Sequence, residues 1–153
     1  MRLLVTGSRD WEGIQAENKV YRVLDKVLDL SLVLGQPLTL VHGDCPTGAD
    51  PCADRWGRRR ESEVVMEPYP ADWTIYGKAA GPVRNGVMVS RGADMCIGFL
   101  RNGSKGTRGC LDLAKDAGIP TFEIPWEEEW DVAKNYPYRR ADSGGVGHPG
   151  RAA

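Results

Sequence analysis

The chain has 153 residues, 41% hydrophobic and 27% charged, with 20 basic and 21 acidic side chains and a formal net charge of −1. That length allows one domain with a full core rather than two. The near-neutral balance excludes a general electrostatic drive toward nucleic acid or membrane, though not a local basic patch.

No apolar segment is long enough to cross a bilayer. The start, Met1-Arg2-Leu3-Leu4-Val5, enters a strand at once instead of a secretory leader. The cysteines, Cys45, Cys52, Cys96 and Cys110, form no CxxC pair and suit a reducing compartment, so a cytoplasmic protein is expected. Cys96, inside an apolar run, reads as a small buried hydrophobe. His42, Cys45 and Cys52 have the wrong spacing for a zinc set and lack a fourth ligand, so neither metal nor cofactor is expected.

In chain order, Arg2–Thr6 is a short apolar strand ending in Gly-Ser-Arg-Asp. From Ile14 to Leu34 apolar residues recur at Val20, Val23, Leu24, Val27, Leu28 and Leu30 or Leu32, the spacing of a helix, which Gly35 and Pro37 stop. Leu38–His42 is a second strand, followed by a Gly-containing loop and a helix from Ala49 to about Glu61. Val64–Met66 is a third strand. Pro70–Gly81 is a polar, aromatic loop, and Pro82 suits the first turn of a helix running to Arg91. Ala93–Leu100 is a fourth strand, Thr107 opens a helix closed by Gly118, and Ile119–Ile124 is a fifth strand.

This alternation predicts an α/β Rossmann-like three-layer sandwich over residues 1–125, with a five-stranded parallel sheet of order 3-2-1-4-5. Ligands of such sheets bind at the strands' carboxyl ends where the order reverses, here between the first and fourth strands. Residues 126–140 form an acidic, aromatic extension whose Trp126, Trp130, Tyr136 and Tyr138 either cap the sheet or serve an interface. Residues 141–153, rich in Gly, Ser, Arg and Pro, form an expected flexible tail.

Four loops fall at one sheet edge in this topology. Gly7, Ser8, Arg9, Asp10 and Trp11 follow the first strand: Gly7 permits close backbone approach, Arg9 forks onto phosphate or carboxylate, and Trp11 offers a flat face to a base, with Trp11 or Trp73 expected near the rim of the pocket. This is not the GxGxxG fingerprint. Gly43 ends the second strand and Gly48 opens a helix whose free N–H groups attract anions, while Asp50 either serves that site or only stabilises the helix start. Arg84 and Asn85 are placed in a helical first turn, where Asn has poor helix propensity. Gly103, Ser104, Lys105, Gly106 and Thr107 have the form of a phosphate cradle, without a Walker A pattern.

These pieces together resemble the SLOG superfamily, a Rossmann-like group that includes the lonely-guy phosphoribohydrolases and the DNA-processing protein A group. The likeness is greatest to its DUF2493 (YspA-like) branch. It rests on Val5-Thr6-Gly7-Ser8-Arg9, His42-Gly43 with Gly48-Ala49-Asp50, Pro82-Val83-Arg84-Asn85 with Met88, and Gly103-Ser104-Lys105-Gly106-Thr107. It spans residues 2 to 125. The resemblance implies a nucleotide or nucleotide-derived ligand at the four loops and, since dimers are common in the family, a possible homodimer. The phosphoribohydrolases carry PGGxGTxxE. Here Gly106-Thr107 match the GT, Ser104 replaces a glycine, and Cys110 stands in the place of the acid.

Three functions follow for comparison. The favoured one is a binding or sensing module for a nucleotide-derived small molecule. The alternatives are a nucleoside-monophosphate phosphoribohydrolase, for which Asp10, Asp44, Asp50 or Asp72 would replace the missing acid, and a nucleic-acid-handling module. The balance of 20 basic against 21 acidic residues weighs against the last.

Overall fold

The computed structural model describes residues 1–126. β1 (Arg2–Gly7), β2 (Leu38–His42), β3 (Val64–Pro68), β4 (Met95–Leu100) and β5 (Thr121–Pro125) form one parallel sheet of order β3-β2-β1-β4-β5. The α/β Rossmann-like architecture and strand order expected from the sequence are therefore those observed. The expected extension beyond Trp126, and the whole of the expected tail, lie outside the described residues.

Alternation along the strands feeds two cores. Leu3, Val5, Leu40, Ile97 and Phe99 face α1 (Ile14–Val33) and α2 (Ala49–Arg58). Leu4, Val41 and Cys96 face α4 (Ala80–Ser90) and α5 (Lys105–Asp116). Side chains alternate across a strand, and a parallel sheet is buried on both faces, so its strands read as apolar runs. Cys96 is fully buried, as its setting in such a run implies.

Several boundaries and one face differ from the sequence reading: β4 starts at Met95 rather than Ala93, β5 at Thr121 rather than Ile119, and α5 at Lys105 rather than Thr107. The buried stripe of α1 is Ala16, Val20, Leu24, Val27, Leu28 and Ser31, whereas Leu30 and Leu32 are exposed. At 3.6 residues per turn Ser31 falls directly above Val27 and Leu24, and its leucine neighbours are rotated off the stripe. Ser31 is tolerated there because its hydroxyl donates to the Leu28 carbonyl at 2.7 Å. α2 stops at Arg58, before Glu61. The loop assigned to Pro70–Gly81 contains α3 (Trp73–Tyr76), a 3₁₀ turn (Gly77–Ala79) and the start of α4. Pro82 is the third residue of α4, where the missing N–H would have had no helical partner. Arg84 and Asn85 thus sit beyond the first turn.

Candidate functional site

β1 and β4 are neighbours whose following helices cover opposite faces of the sheet, and their carboxyl ends leave a cleft of about 430 Å³. Thr6 and Gly7 reach it from β1, Asp50 from α2, Arg84 and Asn85 from α4, and Ser104, Gly106 and Thr107 from the start of α5. Arg9 and Asp10 enter from the loop after β1, and Trp73 and Lys78 from the α3 region. A smaller hollow of about 190 Å³, lined by Gly43 to Thr47, adjoins it and shares Arg9, Cys45, Trp73 and Arg84.

Small residues bring these loops together. A Cβ on Gly7 would collide with the Ala49 side chain, so glycine lets the end of β1 press on the start of α2. Gly48 has φ +86°, and a Cβ there would strike the Ser8 carbonyl. Gly43 leaves room for the Arg84 guanidinium, which occupies the space of its absent side chain. Ser8 ties the first loop to the fourth: its hydroxyl accepts from the Arg101 N–H at 2.8 Å and donates to the Arg101 carbonyl at 3.2 Å.

The charged groups fall into anchored and open sets. Arg84 donates through Nε to Asn85 Oδ1 at 2.9 Å and through Nη1 to the carbonyls of Gly43 and Tyr69. Its Nη2 has no hydrogen-bond partner, and no carboxylate lies within 4 Å of the guanidinium, among the described residues. Arg9 is exposed, and among the described residues its side chain holds only a cation–π contact, 5.6 Å from the Trp73 ring centroid. Arg101 is tied down, donating to the Asp10 carbonyl at 2.7 Å with its guanidinium 4.0 Å from the Trp126 ring centroid.

Ser104 caps α5, accepting from the Thr107 N–H at 3.4 Å. The remaining N–H groups of that first turn have no intrahelical acceptor and carry the positive end of the helix dipole. A Cβ on Gly106 would meet open space, so this glycine leaves the helix start uncovered toward the cleft.

Asp50 is the buried anion, 5% exposed, with Oδ2 accepting from the Cys45 N–H at 3.1 Å. Burial pushes its carboxyl above the usual range, against the opposing pull of that N–H, His42 and Arg84. Of His42, Cys45 and Cys52, the first and last meet other groups. His42 Nδ1 accepts the Asp44 N–H at 3.1 Å, which puts its proton on Nε2, 3.3 Å from Asp54 Oδ1. Cys52 donates to the Gly48 carbonyl. Among the described residues no three His, Cys, Asp or Glu side chains gather as metal ligands.

The family described as YspA, cpYpsA-related SLOG matches residues 1–76. Gene 61 protein of Mycobacterium phage D29 is 43% identical over 126 residues, covering 80% of this chain and 95% of that protein. The chain belongs to the SLOG superfamily. Among solved structures, a C-terminal domain of a hydrogenase from Pyrococcus furiosus aligns with 80% of this chain and 89% of its own, at 14% identity and TM-score 0.42.

Within this SLOG chain the family match ends just beyond Trp73, so the contributions of α4 and α5 to the cleft lie outside it. Of the residues singled out in the sequence, Gly7, Arg9, Asp50, Arg84, Asn85, Ser104, Gly106 and Thr107 line one cleft, and Gly43 lines the adjoining hollow. Ser8 and Gly48 lie behind the wall, packing loop on loop. Lys105 and Gly103 are exposed outside the cleft lining.

Trp11 requires correction. It is fully buried, with its indole N–H donating to the Ala16 carbonyl at 3.0 Å and its ring edge-on to Phe99 and Trp126. The large apolar ring gains more from the core than from the cleft edge, and Trp73, 51% exposed, is the aromatic at the rim. Trp126 caps the core from the other side.

Lys78 was not marked as a site residue in the sequence, Asp10 only as a substitute acid, and Thr6 only within the motif that carries the resemblance. Thr6 carried a signal: a polar residue closing an apolar strand at its carboxyl end. Lys78 carried none, because its place depends on how α3 folds over the cleft. Cys110, which the resemblance sets against the phosphoribohydrolase acid, is fully buried against Cys96 and Thr6.

Proposed function

We propose that the chain binds a nucleotide or nucleotide-derived small molecule in this cleft, as a binding or sensing module. The observation that carries the reading is Arg84, whose guanidinium is braced by neutral acceptors and keeps Nη2 open in a cleft that also holds Arg9 and the start of α5. A cation held without a counter-charge beside a helix N-terminus suits a phosphate. Trp73 at the rim offers a face to a base, and the hollow beyond Arg84 offers room for the rest of the ligand. The four cysteines are free, in keeping with action in a reducing cytoplasm.

The test is calorimetry of the pure protein against a panel of nucleoside mono-, di- and triphosphates and inorganic pyrophosphate. At least one phosphate-bearing compound is expected to bind. Failure of the whole panel, with the protein folded, would remove the reading.

One observation favours a second reading, hydrolysis of the N-glycosidic bond of a nucleoside monophosphate: a buried carboxyl, Asp50, shares the cleft with Arg84. Against it stands Cys110 in the acid's place. Little or no release of ribose 5-phosphate from nucleoside monophosphates is therefore expected. Robust turnover lost on Asp50→Asn would establish the hydrolase.

A further inference from the structure

Seven polar or charged side chains are buried among the described residues, and four of them, Thr6, Asp50, Asn85 and Thr107, line this one cleft. Burying polar groups costs free energy unless they are hydrogen-bonded, so their concentration at one place calls for a cause. Three have internal partners or neutral hydroxyls. Asn85 accepts from Arg84 Nε at 2.9 Å and its amide donates weakly to the Gly106 carbonyl at 3.4 Å. Thr107 pairs with Ser104 at 3.0 Å.

Asp50 is different. It is only 5% exposed, yet its hydrogen-bond partners among the described residues are backbone N–H groups alone: Oδ2 accepts from Cys45 at 3.1 Å, and the Gly43 N–H also acts on the carboxyl. Neither Arg84 nor any other cation forms an ion pair with it within 4 Å among the described residues. Two backbone N–H groups leave about half of a carboxylate's acceptor capacity unfilled. An anionic end of a ligand is turned away by this group, whereas a hydroxyl satisfies it.

We propose that Asp50 accepts a hydrogen bond from a sugar hydroxyl, so that the cleft selects phosphorylated ribosides over their deoxy counterparts. This rests on the nucleotide reading above and adds a division of labour. Arg9, Arg84 and the start of α5 hold the phosphate, and Asp50 reads the sugar. A site built to hydrogen-bond a hydroxyl rejects the analogue lacking it, because its own buried acceptor is then left bare.

The experiment is calorimetry of the full chain with the four nucleoside 5′-monophosphates, their 2′-deoxy and 3′-deoxy counterparts, ribose 5-phosphate and inorganic pyrophosphate. At least one deoxy position is expected to weaken binding by about ten- to a hundredfold, as for hydrogen bonds to charged groups. Asp50→Asn keeps an oxygen for the Cys45 N–H, and circular dichroism checks its fold. It is expected to shrink that discrimination to about threefold or less, while pyrophosphate, which has no sugar and is no longer repelled by the carboxylate, binds more tightly than to the parent. Equal binding of ribo and deoxy forms by the parent would overturn the inference while leaving the nucleotide reading intact. So would a variant that keeps the parent's discrimination. Absence of binding by every phosphate compound overturns both.

Discussion

Arg9 and Arg84 reach the same cleft by different routes, and their substitution reads differently. Arg9 is exposed and its guanidinium, among the described residues, is held only by the Trp73 ring, so Arg9→Ala is expected to weaken binding of the tightest phosphate ligand by about tenfold or more at unchanged Tm. Arg84→Ala removes the donor to two carbonyls as well as the open Nη2. It is expected to lose about ten- to a hundredfold in affinity and also about 1–3 kcal/mol of stability. Calorimetry beside thermal melts separates the two, and parental affinity in both variants would place the anion elsewhere.

Two carboxyls also have opposite linkage. The Arg2 fork and the Tyr69 hydroxyl hold Glu67 down at about 2, from an ordinary 4.5. A lowered carboxyl stabilises the fold above its unfolded value and loses that stabilisation as pH falls from about 4.5 to 2. For this part-exposed pair the loss is about 1 kcal/mol, and it should be absent from urea titrations of Glu67→Gln. Asp50 is raised by burial, so the folded state holds the proton more tightly than the unfolded chain. Its contribution to stability falls as pH rises above 3.8, and Asp50→Asn is expected to melt higher than the parent at pH 8, with the gap closing toward pH 4.

At the scale of elements, the loop glycines divide by what surrounds them. The start of α2 can press on the end of β1 only because Gly7 has no side chain, and Gly7→Ala should cost about 1–3 kcal/mol through overpacking against Ala49. Gly106 stands in the first turn of α5 with open space where a Cβ would be. Helix propensity alone makes Gly106→Ala stabilising by up to about 1 kcal/mol, while the added methyl intrudes on the cleft the glycine lines. A higher Tm together with weaker phosphate binding is the expected pair of results. A higher Tm with unchanged binding would mean that the ligand does not approach the start of α5.

Over the whole molecule, a net charge of −1 coexists with a cleft bordered by Arg9, Lys78, Arg84 and Arg101 against Asp10 and Asp50. Attraction of an anion is therefore local and partly enclosed. Affinity is expected to fall between 50 mM and 500 mM salt, as screening shortens the reach of the exposed Arg9. A ligand that binds only the folded state at a hundred times its Kd adds about 2.7 kcal/mol to stability. For a chain of this size that is a rise in Tm of roughly 5–10 °C, readable in a melting panel.

Fold class and strand order were legible in the chain itself. Short apolar runs alternate with helical spacing from Arg2 to Ile124, glycine following the first, second and fourth of them, and right-handed crossovers leave few ways to assemble them. The edge at which Arg9, Arg84 and Ser104–Thr107 meet follows from that order, because each stands just after a strand or at the helix end beside it. Local pattern could not decide between competing uses of one side chain. Trp11 and Trp73 both stand in polar loops near the cleft, and only the packing of α1 against the end of β4 draws Trp11 into the core and leaves Trp73 at the rim. Asp50 reads from sequence equally as a helix-start charge or a site residue. Its burial, and the backbone N–H groups of Gly43 and Cys45 that meet it, arise from the return of the Gly43–Gly48 loop over α2. Periodicity records which face of an element is apolar. Burial of a polar group depends on what other elements bring against it, and that is a property of the assembled sheet and helices alone.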